Sequence, residues 1–138
     1  MPTTAPRPLT SRRKLLAALI VTLLALALVP ATQAQAATVT VSFKTGHVSG
    51  STFYTVPGAT VSIFNSANVL IGRKASNSAG IASFVLTRGA RVRVNSQARR
   101  GSCPLFYVYK MDLWWNVPTA GANPLPLQAQ MRATQITC

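Results

Sequence analysis

Acidic residues are almost missing from this chain: of 138 residues one is Asp or Glu, Asp112, against 14 Lys and Arg. Histidine occurs once, at position 47, and cysteine twice, at 103 and 138. These shortages remove whole classes of chemistry. Acid–base catalysis by paired carboxylates needs two acids. A Ser-His-Asp relay would have to bring His47 and Asp112 together, and no nucleophile elbow accompanies either. Zinc asks for three or four His or Cys ligands and calcium for several carboxylates, so no metal is expected. Glycine motifs that cradle phosphate are absent, so no cofactor is expected either. The expectation is a protein that acts by contact, without turnover.

After residue 36 few strong helix formers follow one another in sequence, Val, Ile, Thr, Tyr and Phe are abundant, and all 8 glycines lie there. That composition excludes an α-rich fold. Residues 37–138 can bury something like two thirds of their extended surface, enough for one small core.

The first 36 residues differ in kind. Arg12, Arg13 and Lys14 precede an apolar run over residues 15–29, broken only by Thr22; Pro30 ends it, and Ala34-Gln35-Ala36 supplies small residues. This is the pattern of a secretory signal peptide, 1–36, with cleavage before Ala37. An uncleaved anchor is the alternative, although the run is short for ~30 Å of hydrocarbon. Ser11-Arg12-Arg13-Lys14-Leu15-Leu16 also resembles a twin-arginine export motif, so the export route stays open. No cysteine directly follows the apolar run and no apolar tail closes the chain, so the expectation is a released, extracellular, bacterial protein with a single domain over 37–138.

Within that domain, a stretch from Thr55 to Val94 alternates on a period of two between turn signals. Thr60-Val61-Ser62-Ile63-Phe64, Val69-Leu70-Ile71, Ile81 to Leu86 and Ala90 to Val94 read as four short strands, expected to form a β meander. Ala59, Val61, Ile63, Ala82, Phe84, Leu86, Val92 and Val94 would face the core. Thr60, Ser62, Ser83, Thr87, Arg91 and Arg93 would face water. A slip of one residue would bury the arginines, so the register is effectively fixed.

Earlier, Val39, Val41 and Phe43 alternate with Thr38, Thr40 and Ser42 as a first strand, and residues 46–55 read as a long loop or irregular edge carrying Phe53 and Tyr54. Later, residues 105–115 form a strand with Tyr107, Tyr109, Met111 and Trp115 on one side and Lys110, Asp112 and Trp114 on the other. Trp114 and Trp115 point opposite ways, so at most one is core. After a loop with three prolines, Leu125, Leu127, Ala129, Met131 and Ala133 alternate as a closing strand, with a bend near Ile136 and Pro126 marking a sheet edge.

Val56-Pro57-Gly58-Ala59-Thr60-Val61 followed by Asn77-Ser78-Ala79-Gly80-Ile81-Ala82-Ser83-Phe84 resembles the P-G-A-x-V … T-D-x-x-G-x-A-x-F signature of bacterial Ig-like and carboxypeptidase-regulatory-like (prealbumin-type) β-sandwich domains. The resemblance covers roughly forty residues and departs from the family at Asn77, where an acid is usual. It implies an antiparallel sandwich of about seven strands and an extracellular, non-catalytic scaffold, with no catalytic residue to carry over.

The two cysteines can pair in one way. A Cys103–Cys138 bridge would close a loop of about 36 residues and contribute on the order of 4 kcal/mol through chain entropy. Ten cations against one acid leave residues 37–138 with a formal charge of +9. Arg88, Arg91, Arg93, Arg99 and Arg100 fall close together; Arg91 and Arg93 share a strand face, and by this pattern Arg99-Arg100 fall in the following loop. Together they form a candidate polyanion-binding ridge. Trp114, Trp115 and Tyr54 are a candidate aromatic platform.

The partner these features imply is an anionic cell-wall polymer or a protein surface, bound by a monomer. Sequence-specific nucleic-acid binding and stable membrane insertion after removal of 1–36 are not expected. Two other readings stand beside it: a small secreted toxin or inhibitor acting through the basic ridge and Trp114-Trp115, and a carbohydrate-binding module using the aromatics.

Overall fold

The computed structural model describes residues 36–138; the signal peptide expected over 1–36 lies, but for Ala36, outside the described residues. Nine strands and no helix make up the described chain, in two sheets. The strands are β1 Thr38–Ser49, β2 Thr52–Thr55, β3 Thr60–Phe64, β4 Leu70–Ala75, β5 Ile81–Thr87, β6 Arg91–Ser102, β7 Leu105–Asn116, β8 Leu125–Gln130 and β9 Arg132–Thr137.

Sheet I is centred on β1. Its first half pairs antiparallel with β5, its last residues with β2, and β8 lies alongside it in parallel. Sheet II runs β4-β3-β6-β7-β9, every pairing antiparallel.

The core is the one that alternation demands. Val39, Val41 and Phe43 from β1, Ala82, Phe84 and Leu86 from β5, Val61 and Ile63 from β3, and Val92 and Val94 from β6 are all buried between the sheets. Phe43 sits at the centre, edge-on to Phe84 at 5.9 Å and to Trp115 at 6.1 Å. A smaller cluster of Val56, Ala59, Tyr109 and Met131 fills one end.

Several expectations are corrected. The four strands after Thr55 are present but are not a meander, because β5 leaves sheet II and pairs with β1 while β6 returns to pair with β3. The inner faces of both sheets carry the same period of two, so alternation cannot say to which sheet a strand belongs. There are nine strands where about seven were expected, and β1 with β8 breaks the all-antiparallel rule.

Of the two readings of residues 46–55, loop or irregular edge, the edge is the one found. β1 runs through Ser49, Gly50 turns at φ +62°, and β2 returns to put Tyr54 opposite His47. This hairpin extends past the core, so its residues need no apolar alternation and read as loop from composition.

The expected closing strand divides at Met131. β8 joins sheet I, β9 joins sheet II, and Met131 is buried where the chain crosses. Both halves end at sheet edges, in keeping with Pro126. Ser62, expected to face water, is buried beneath Arg73, whose Nε donates to its hydroxyl at 3.1 Å. Cys103 and Cys138 are bonded, their Cα atoms 5.6 Å apart, just beyond the last β7–β9 rung at Leu105 and Thr137.

Candidate functional site

Because Val92, Val94 and Ser96 are buried, their neighbours Arg91, Arg93 and Arg99 project from the outer face of sheet II. β6 continues to Ser102, so Arg99 and Arg100 are strand residues and not loop residues, and they face opposite ways. The ladder carries the outer face across to Lys110 on β7 and Arg132 on β9, which pair with one another. On the other side Arg73 of β4 pairs with Ser62. Six of the ten cations of residues 37–138 therefore share one sheet face with the single acid, Asp112. Of the described cations the outer face of sheet I carries Lys44 alone, among Thr, Ser, Gln, Ile81 and Val85.

Arg93 is held most firmly. Its Nε donates to Asp112 Oδ1 at 2.7 Å, Nη2 to Oδ2 at 2.5 Å, and Nη1 to Asn68 Oδ1 at 3.0 Å. Those hydrogen bonds hold the Asp112 carboxyl below its ordinary range and push the Arg93 guanidinium up. With side chains 32% and 43% exposed, the pair is screened by water and contributes little to stability. Its main consequence is to neutralise Arg93. The remaining five cations have no acidic partner.

Two of those five are restrained by stacking. Arg91 lies over the Trp114 ring at 5.1 Å and Arg99 over Phe106 at 3.7 Å. Stacking fixes a guanidinium without using up its fork of donors, so less rotamer freedom is lost when an anion binds. Beside Arg99 an open depression of about 370 Å³ is lined by Gly58, Thr60, Gln97 and Val108.

The five-arginine ridge is thus corrected to three of its members. Arg88 instead clamps the proline loop, donating to the carbonyls of Pro118, Gly121 and Ala122 at 3.0–3.4 Å. Arg100 follows the inner register of Ser96 and lies near Gly58. The aromatic platform does not assemble either: Trp115 packs on Phe43, and Tyr54 stacks on His47 in the sheet I hairpin. Trp114, 44% exposed, is the member that joins the basic face.

His47 is sandwiched by Tyr54 and Tyr109, at 5.4 and 5.0 Å between ring centroids. Tyr109 lies on the inner face of sheet II and Asp112 on the outer, so the two proton carriers are not brought together.

Sequence reading missed Arg73, Lys110 and Arg132 as members of this face, since strand register alone unites them. Lys110 does lie on the side of Asp112 and Trp114, but it joins the arginines only through the pairing of β7 with β6. No family model, curated protein or solved structure matches the chain.

Proposed function

We propose that this chain is an exported, non-catalytic β-sandwich module of Ig-like or prealbumin-like type that binds anionic cell-envelope polymers through the outer face of sheet II. The observation that carries the reading is lateral charge: six cations on one face against one on the other. A merely arginine-rich composition has no reason to sort itself by face. Restraint of Arg91 and Arg99 on aromatic rings supports a surface prepared for phosphate or carboxylate groups.

The family proposal is supported by the turns of the quoted segments. Gly58 and Gly80 have φ of +72° and +74°, where glycine is favoured. Asn77 Oδ1 accepts the N–H groups of Ala79 and Ile81, which is the service an aspartate would provide at that place.

The test is retention on polyphosphate-coupled resin and on isolated anionic wall polymer. Retention is expected at low salt and is lost steeply as NaCl rises, because binding releases counterions. Retention that ignores salt, or no retention at low salt, refutes the reading. Mass spectrometry of the culture fluid checks export, cleavage after Ala36 and the two-hydrogen loss of the disulfide together.

A further inference from the structure

The outer face of sheet II changes character along its strands. At the end where β3 turns into β4, a single row crosses four strands: Leu70 pairs with Phe64, Phe64 with Arg93, and Arg93 with Trp114. Val69 and Ile71 flank Leu70 at the hairpin tip. The three aliphatics are 57%, 43% and 52% exposed, and Trp114 is 44% exposed. Arg73 follows two residues later, and Arg91 stacks on Trp114.

The tip is held in shape. Asn65 Oδ1 accepts the N–H groups of Ala67 and Val69 at 3.0 and 2.9 Å, and Asn68, at φ +61°, completes the turn. The turn Asn65-Ser66-Ala67-Asn68 carries no charge.

An anionic polymer or an acidic protein would account for the arginines but gives three consecutive branched aliphatics nothing to bury against. A second copy is disfavoured by the +9 charge of each domain and by Arg73 and Lys74 on the free edge strand β4. The boundary between headgroups and acyl chains satisfies both halves of the patch. It offers apolar depth to the aliphatics, an interfacial level to a tryptophan, and phosphates to the arginines.

We propose that the β3–β4 hairpin tip is a peripheral docking site for a lipid surface bearing anionic headgroups, with Val69, Leu70, Ile71 and Trp114 entering the boundary and Arg73 and Arg91 meeting headgroup phosphates. The docking is interfacial and does not span the bilayer.

Flotation with phosphatidylglycerol/phosphatidylcholine vesicles and with pure phosphatidylcholine vesicles tests the charge component: binding is expected to the first and to be at least tenfold weaker to the second. Equal binding to both overturns it. Insertion is read from tryptophan fluorescence with brominated acyl chains. The chain has 2 tryptophans, and Trp115 is packed on Phe43, so quenching in anionic vesicles reports Trp114 and is expected to vanish in Trp114→Phe. No quenching in the parent chain, or undiminished quenching in the variant, overturns the site.

The triple change Val69→Ser, Leu70→Ser, Ile71→Ser, with the same N-terminus as the parent, is expected to weaken vesicle binding about tenfold or more. Its melting temperature, checked alongside, should hold because the three side chains are exposed. Vesicle binding that survives the change overturns the proposal. Retention of this variant on polyphosphate resin is expected to be unaltered, which keeps failure here distinct from failure of the polymer reading.

Discussion

Thr45 continues the inward series Val39, Val41, Phe43 but carries a hydroxyl, fully buried where β2 ends and β5 begins. Its Oγ1 lies 2.7 Å from the carbonyl of Val56 and 3.0 Å from both Ser76 Oγ and the Gly80 carbonyl, and Ser76 Oγ accepts the Ala59 N–H. The hydroxyl has one proton, so Thr45 donates to Val56 and Ser76 donates to Thr45, while the Gly80 carbonyl accepts the Thr45 N–H at 2.7 Å. Thr45→Val keeps the shape but removes the hydroxyl that joins the Val56 carbonyl to Ser76 Oγ, so a loss of about 1–3 kcal/mol in urea unfolding is expected. Ser76→Ala should cost a similar amount, and the double change less than the sum. The opposite case is Asp112, half in water. Its carboxyl is held below the ordinary range by Arg93, so its contribution to stability is present above an unfolded value of about 3.9 and fades as pH falls through the lowered folded one. Because the pair is solvated, the urea midpoint attributable to it should move only slightly between pH 5 and pH 2, and Asp112→Asn should remove that small dependence.

Among the elements, the strand pair β7–β9 depends most on a covalent tie. β9 has no buried residue, and it is an edge strand held by its ladder to β7 and by the bridge from Cys103 to Cys138. Replacing both cysteines by serine should lower stability by as much as about 4 kcal/mol in the chain-entropy account, and hydrogen exchange should rise first in residues 132–137. Phe43→Ala acts through the core instead and should cost about 3–5 kcal/mol, with exchange rising across both sheets. Alternation made the existence and inward face of β1, β3, β5, β6 and β7 legible, because a buried arginine or an exposed Phe43 would be the penalty of misreading them. It could not assign strands to sheets, since β5 and β6 show the same period on facing surfaces. It also ran straight through Met131, where the chain changes sheets while the apolar side chain stays buried. The β1–β2 hairpin was invisible for the converse reason: past the core, main-chain pairing needs no apolar pattern to hold Gly46 to Ser49 against Thr52 to Thr55.

For the whole molecule the question is whether it binds anions by its net charge or by one face. Arg91, Arg93 and Arg99 were legible as a row from their spacing on one strand, but Arg73, Lys110 and Arg132 reach the same face only through the register of four other strands. If the face acts, charges should not be interchangeable. Arg73→Ala, Arg91→Ala and Arg99→Ala together should lower the slope of log affinity against log NaCl by about 2–3, each lost phosphate contact accounting for nearly one. Lys44→Ala with Arg100→Ala, off that face, should leave the slope almost unchanged while still reducing the net charge. Asp112→Asn should steepen it by about one, because Arg93 is then released from its carboxylate to meet the polymer. A slope that falls in proportion to the number of charges removed, three in the on-face set and two in the off-face set, would mean that binding follows total charge, and the sorting of cations onto sheet II would have no part in it.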